Sequence, residues 1–296
     1  MRCCVTGGAG FVGSAVVRAL LRSGHRVKVV DDLSTGRLDN IPEGVDFECC
    51  DAATADYHEV DALVHAAAYA DISRNWEDES ERKRVWMRGA ELTRRLLEFY
   101  GSPEARPFVL LSTCAVYGEG DVAVSGGLKR TEARSPYAAS KLACESLVEA
   151  YTWGNRVRGY IARLVSCVGP GYWHGHIADF VRMAQLNRTI LARDDGSQRR
   201  SYVHVDDAAE ECAQMMAFLS GPGPHARNVS SSELWSWRDT VAIMQETRPL
   251  EIRCAEGRSA WIGDTIDLAV LGTGKRSVAD GVREALVSLG WMEGSK

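Results

Sequence analysis

Tyr137 and Lys141 stand four positions apart in Pro136-Tyr137-Ala138-Ala139-Ser140-Lys141, so on a helix they share one face. A phenol ionises at about pH 10, too high for a base near neutrality. A neighbouring ammonium favours the phenolate, and a shift of ~3 units would need roughly 4 kcal/mol. Such a pair can take the proton of a substrate hydroxyl, and the lysine can hold a ribose as well. Upstream, the apolar run Phe108 to Leu111 ends in Ser112-Thr113-Cys114. Hydroxyls at the carboxyl end of a parallel strand face the crevice where ligands bind. Thr113 can therefore bond the reacting hydroxyl and relay its proton to Tyr137; capping of the strand end is the plainer role for it, as for Ser112. YxxxK also occurs on ordinary helices, so the pair needs a second feature to carry weight.

That feature is Thr6-Gly7-Gly8-Ala9-Gly10-Phe11-Val12-Gly13, whose glycines satisfy both GxxGxxG and GxGxxG. Glycines permit a tight turn and close backbone approach, and the N-terminus of the helix that follows favours a pyrophosphate. The run follows a strand and opens a helix, the context a dinucleotide site requires. Asp31 ends the second apolar strand, about twenty residues on, where a carboxylate accepts both ribose hydroxyls and repels a 2′-phosphate. NAD is thus expected in preference to NADP. Asp51, after the third strand, is either a contact for the adenine amino group or a simple loop acid. A nicotinamide that takes hydride and a tyrosine that takes the proton make one reaction.

The elements needed to position these groups are legible. Residues 2–6 read as a buried strand, and a helix runs from about Val12 to Ser23 with Gly24 as its stop. Strands are expected at Val27–Val30, Phe47–Cys50, Ala62–His65 and Phe108–Leu111, with one long helix from about Ser80 to Tyr100. Pro136 suits a first helical turn that Ser135 can cap; that helix should reach about Trp153, before a strand from Arg158 to Leu164. Alternating strands and helices imply an α/β fold, a Rossmann-type doubly wound parallel sheet. Residues 1–164 are read as the dinucleotide-binding domain. Residues 165–296 are read as a smaller substrate-binding region, partly interleaved with the first.

A chain of 296 residues, 45% hydrophobic and 25% charged, can bury a full core. Its net charge of −5 gives no reason to expect nucleic acid or an acidic membrane as partner. No apolar run is long enough to span a bilayer, and no signal sequence precedes the glycine loop, so a cytoplasmic location is expected. The nine cysteines include the adjacent pairs Cys3-Cys4 and Cys49-Cys50, both within apolar runs that read as buried strands. No CxxC with a matching second pair exists to hold a metal, so free core thiols are expected and no metal site. Arg82, Lys83, Arg84, Arg88, Arg94 and Arg95 interleave with Glu79, Glu81, Glu91 and Glu98, which reads as a solvated helix face.

With these residues in place, the chain resembles the extended short-chain dehydrogenase/reductase family, and within it the NAD-dependent nucleotide-sugar 4-epimerases, from residue 1 to about 210. The resemblance implies NAD contacts at Gly7, Gly10, Phe11, Val12, Gly13, Asp31, Asp32, Leu33, Ser34, Thr35, Gly36, Asp51, Ala52, Ala66, Ala67, Ala68, Tyr137, Lys141 and Leu164. It places the catalytic Ser/Thr at Thr113 and the Tyr-Lys pair at Tyr137 and Lys141. Asp195 to Arg200, followed by Tyr202-Val203-His204-Val205-Asp206-Asp207, is similar to the segment whose arginine grips the substrate diphosphate; Arg200 is that ligand, and Arg199 a surface charge. Arg258 is a second candidate phosphate ligand. The implied mechanism takes hydride from carbon 4 onto NAD, lets the 4-keto sugar turn over, and returns hydride to the other face. The substrate implied is a nucleotide-diphosphate sugar, and in this family the Ser80–Tyr100 helix and the Tyr-Lys helix often build a homodimer.

Some positions depart from the pattern. Dehydratases of the family carry an Asp-Glu pair after the threonine, where this chain has Cys114 and Ala115; decarboxylases of UDP-glucuronate commonly carry a glutamate at the second position. An epimerase needs neither. Cys114 is read as a small packing residue, with a weak acid-base role as the alternative. Ser166 and Gly89 stand where the family usually has asparagines, and Ser166 keeps the substrate-contacting position. Trp173-His174-Gly175-His176 occupies the expected sugar-nucleotide loop, its histidines either phosphate or carboxylate contacts or idle loop residues. The readings left open are a decarboxylating or oxidising enzyme and a non-catalytic NAD-binding regulator.

Overall fold

In a computed structural model, the described residues are 1–69, 78–118, 133–192, 195–196, 198–217, 223–254 and 274–294. Arg258 lies outside them. The described parts form two compact units, the first from Met1–Tyr117, Arg130–Leu164 and Ala208–Val229.

The chain opens with β1 (Arg2–Thr6), α1 (Phe11–Arg22), β2 (Arg26–Val30), β3 (Asp46–Glu48) and β4 (Ala62–His65). Then come α2 (Glu79–Trp86), α3 (Leu92–Tyr100), β5 (Arg106–Thr113), α4 (Pro136–Trp153) and β6 (Val157–Leu164). Further on are β7 (Ser166–Val168), α5 (His176–Asn187), β8 (Thr189–Ala192), β9 (Arg200–His204), α6 (Val205–Ala217) and β10 (His225–Val229). The chain ends with β11 (Leu234–Trp235), α7 (Trp237–Thr247), β12 (Glu251–Cys254) and α8 (Val278–Ser288).

The first unit is a seven-stranded sheet in the order β10-β6-β5-β4-β1-β2-β3, parallel at every pairing. Its central strands are buried on both faces, which explains why Cys3-Cys4-Val5 reads as a continuous apolar run instead of alternating. Strand order changes direction between β1 and β4, where the crevice of a doubly wound sheet opens at the carboxyl ends of the strands. The second unit carries a three-stranded sheet, β11-β9-β7, and the two-stranded pair β12-β8.

Two expectations need correction. The third strand stops at Glu48, so Cys49 is exposed and Cys50 only half-buried, its thiol donating to Glu48 Oε1 at 3.3 Å. This strand is at the sheet edge with one neighbour, and its ladder ends at Val30 opposite Glu48; a short edge strand is the usual outcome there. All nine cysteines are free thiols, and Cys3 and Cys4 are core residues.

The long helix expected from Ser80 to Tyr100 is interrupted by a π-helical turn at Met87–Glu91. The Thr93 hydroxyl donates back to the Gly89 carbonyl at 2.9 Å, a competition with the helical ladder that bends helices. At Gly89, a Cβ would lie 2.1 Å from Ser140 Oγ, so a side chain here would displace the Ser140 hydroxyl from its place against this turn. The charged face is solvated where Arg84 meets Glu81 at 3.0 Å and Arg94 meets Glu91 at 2.7 Å. Arg88 breaks that pattern and reaches Asp32 instead.

Candidate active site

The glycine turn is built by close approach. Gly7 has φ +72°, and a Cβ there would lie 2.5 Å from Ala67 N. A Cβ on Gly13 would lie 2.0 Å from Gly7 O, whereas on Gly10 it would stand 3.2 Å from the same oxygen. Ala66 N donates to Thr6 O at 3.0 Å, so the Ala66-Ala67-Ala68 stretch is held against the turn. Helix α1 starts after Gly10 with no side-chain cap and no acidic residue in its first turn. Its first N–H groups, at Phe11, Val12 and Gly13, point outward from the positive end of the helix, as a pyrophosphate site needs.

Asp31 is buried at the end of β2; Ala9 N donates to its Oδ2 at 3.0 Å and Leu33 N to its Oδ1 at 2.8 Å. Burial pushes its carboxyl above the ordinary value, and those two N–H groups oppose the shift. Each carboxylate oxygen keeps acceptor capacity for a ribose hydroxyl. Gly36 is forced by the same carboxylate, since a Cβ would come within 2.8 Å of Asp31 Oδ1. Leu33 takes φ +56° to make the turn, Ser34 N donates to Asp32 Oδ1 at 3.0 Å, and Thr35 is exposed. Asp51 is exposed and closes its own turn by accepting from Ala53 N at 2.9 Å, while Ala52 packs into the core with Tyr57.

Helix α4 is capped as its sequence suggests, Ser135 Oγ accepting from Ala138 N at 3.1 Å. Tyr137 is half-buried near its start, and Lys141 is buried one turn on, with Nζ donating to Leu111 O at 2.8 Å. That bond docks the catalytic candidates of α4 on β5, two residues before Thr113. Thr113 Oγ1 accepts from Ala115 N at 3.1 Å, which leaves its hydroxyl hydrogen to donate elsewhere, and β5 pairs Thr113 with Leu164. Burial pushes the Lys141 ammonium below its ordinary value, with the Glu145 carboxylate opposing.

Two polar networks behind this site were not read from the sequence. Glu145 sits one further turn along α4 and accepts from Ser112 Oγ and from Arg163 Nη2 at 2.6 Å. Arg163 Nη1 donates to Tyr117 Oη at 2.7 Å, and that hydroxyl donates to Asn228 Oδ1 at 2.8 Å. The signal for Glu145 was available: it stands four after Lys141, on the same face. Cys114 is buried, its thiol donating to Arg163 O at 3.2 Å, which suits a packing residue.

The second network surrounds His65. Thr93 donates to Gly89 O, so His65 Nε2–H donates to Thr93 Oγ1 at 3.1 Å, and Nδ1 lies 2.8 Å from Thr6 Oγ1. That places the proton of a neutral ring on Nε2. Burial and the nearby Lys141 lower its pKa to about 3. Unfolded His65 takes a proton near pH 6.5 that the folded residue refuses, so its contribution is complete above that pH and is lost as pH falls. We expect His65 alone to make the protein about 1.4 kcal/mol less stable at pH 5.5 than near pH 7.5. Urea unfolding at the two pH values checks this: His65→Gln should show a smaller acid loss than the parent by that amount.

In the second unit, β7 and β9 set Ser166 beside Tyr202, two residues from Arg200. Arg200 Nη2 donates to Gln198 Oε1 at 3.2 Å, and Arg199 is exposed. His174 is exposed, but His176 starts α5, half-buried, with Nε2 3.3 Å from the Tyr202 hydroxyl. Burial and then Arg200 push its pKa down to about 4, so the ring that meets that hydroxyl is neutral. Among the described residues no cluster of His, Cys, Asp or Glu is suited to a metal ion, and no helix is long and apolar enough to cross a membrane.

A parallel doubly wound sheet, a glycine turn opening α1, a buried carboxylate at the end of β2 and a Tyr-Lys helix docked on β5 together define a dinucleotide-dependent enzyme of the extended short-chain type. The sequence profile of the NAD dependent epimerase/dehydratase family matches residues 3–230, and the chain belongs to that family; its cofactor is NAD. It is 30% identical over 246 residues to UDP-glucose 4-epimerase of Mycolicibacterium smegmatis, covering 76% of this chain and 74% of that one. It is also 30% identical over 228 residues to UDP-N-acetyl-alpha-D-glucosaminuronate decarboxylase of Bacillus cytotoxicus, covering 71% and 69%. A crystal structure of UDP-galactose 4-epimerase superposes with a TM-score of 0.82 at 27% identity, covering 98% of this chain and 99% of that one.

Proposed function

We propose that this protein is a nucleotide-sugar 4-epimerase working through a transient 4-keto sugar. The observation that carries the reading is Lys141, buried and bonded to Leu111 O at 2.8 Å, which holds an ammonium one helical turn from Tyr137 and beside the strand end bearing Thr113. NAD, when bound, supplies a reversible hydride acceptor. Tyr137 acts as the base on the 4-hydroxyl, Lys141 favours its phenolate, and Thr113 bonds the same hydroxyl and relays the proton. Arg200 and Ser166 hold the substrate, the arginine on its diphosphate. Binding energy spent there, remote from the reacting carbon, lets the sugar turn without leaving.

The position after Thr113 favours epimerisation over loss of water or carbon dioxide. Cys114 is buried with its thiol committed to Arg163 O, and Ala115 offers no acid. The test is incubation of purified protein with UDP-, dTDP- and GDP-sugars, uronic acids included, followed by NMR and mass spectrometry. An isomer of unchanged mass supports the reading. A product lighter by carbon dioxide or water replaces it with decarboxylation or dehydration, and no product with any of these sugars, NAD supplied, leaves a substrate outside the panel or the non-catalytic regulator.

We also propose a homodimer through α4 and the α2–α3 run. Trp86 is 51% exposed beside a groove lined by Ala90, Ala143 and Leu147, an apolar face suited to a second copy. Light scattering should give twice the chain mass, and Trp86→Asp should shift the population to monomer by at least about tenfold in dissociation constant. A monomeric parent protein would end this proposal.

A further inference from the structure

The ribose end of the cofactor site holds two adjacent carboxylates and one cation that comes from elsewhere in the fold. Asp31 accepts from two backbone N–H groups, Ala9 N and Leu33 N. Asp32 gives Oδ1 to Ser34 N at 3.0 Å and Oδ2 to the Arg88 guanidinium. Arg88 belongs to the π-helical turn Met87–Glu91. The other ion pairs described along this helical run are local, within three or four positions, whereas Arg88 spans 56 positions to reach Asp32. Its side chain remains 42% exposed, so it is not a core ion pair retained for stability, and exposed pairs of this kind contribute little to folding.

A guanidinium near the ribose is the group that accommodates a 2′-phosphate in dinucleotide sites, and its planar fork suits phosphate oxygens. Here one arm of the fork, Nη1, is already engaged by the Asp32 carboxylate. We propose that Arg88 is a specificity-determining residue for the cofactor: Asp32 occupies a guanidinium placed to receive a 2′-phosphate. Discrimination against NADP then has two parts. Asp31 reads the diol and repels a phosphate, and Asp32 withholds the compensating cation, an arrangement that works against the wrong ligand as well as for the right one. This rests on the NAD site already described and adds a residue contributed by the π turn.

The test is a double-mutant cycle on the full chain, read by binding and not by turnover. NADPH is titrated by its fluorescence against the parent, Asp32→Asn, Arg88→Ala and the double variant, with NADH titrated in parallel. Asp32→Asn should bind NADPH at least about tenfold tighter than the parent, since a charge-assisted contact to the phosphate becomes available. Arg88→Ala on that background should remove most of the gain. If the double variant keeps the gain, loss of the Asp32 charge is sufficient and Arg88 has no part, which overturns the proposal. No gain in Asp32→Asn overturns it too, provided that variant still binds NADH; if it does not, Asp32→Ser repeats the comparison. Failure of all four proteins to bind NADH would instead overturn the cofactor site itself.

Discussion

Tyr137→Phe is expected to lower turnover by about 10³-fold, the usual size of a lost general base, while NAD stays bound. The substitution removes one oxygen and keeps the ring, so the half-buried packing of Tyr137 on α4 persists. The Ser135 cap on Ala138 N is untouched, as is the Lys141 bond to Leu111 O. What disappears is the only proposed group able to take the 4-hydroxyl proton, because Thr113 can relay a proton but cannot hold one as a base. Initial rates together with bound NAD measured after heat release separate the two effects. A variant that retains its rate would remove Tyr137 from the mechanism; one that loses NAD as well would point to a binding role instead.

The second large effect is at Gly13. Gly13→Ala puts a methyl 2.0 Å from Gly7 O, 2.8 Å from Gly7 C and 3.1 Å from Gly8 Cα. All three are backbone atoms of the turn that faces the pyrophosphate, so no side chain can swing aside. The turn must open or α1 must withdraw, and overpacking of this kind costs about 3 kcal/mol. We expect NAD affinity to fall by about 10²-fold, with thermal stability lowered as well. Gly10→Ala is the internal contrast, since its methyl would stand 3.2 Å from Gly7 O, a contact a few tenths of an ångström can relieve. Calorimetric titration of NAD into both variants should rank Gly13→Ala far below Gly10→Ala. Equal losses would mean that the motif acts by flexibility and not by close approach.

The reading of the linear chain succeeded where one segment carries its own instructions. β1, the glycine turn and α1 follow from a buried run, four glycines and an amphipathic helix within the first 22 residues. The bounds of α4 follow from Ser135, Pro136 and the helix-forming run up to Gly154. It faltered where neighbours far along the chain decide. The stretch from Ser80 to Tyr100 reads as one helix, yet five of its residues form a π turn where Thr93 bonds back to Gly89 and Gly89 meets Ser140. Cys49 and Cys50 look apolar, yet the edge strand runs out of partners at Glu48.

By itself, then, the sequence determined the class of fold, the cofactor and the order of the candidate groups, because local periodicity, turn chemistry and spacing along one helix are properties of contiguous residues. Only the tertiary structure decided that Arg88 leaves a solvated helix face for Asp32, that His65 is neutral between Thr6 and Thr93, and that Lys141 is anchored by Leu111. Each of these joins residues 28 or more positions apart. A side chain's charge state and partner depend on what surrounds it in space, and that is settled when the strands pair and the helices pack.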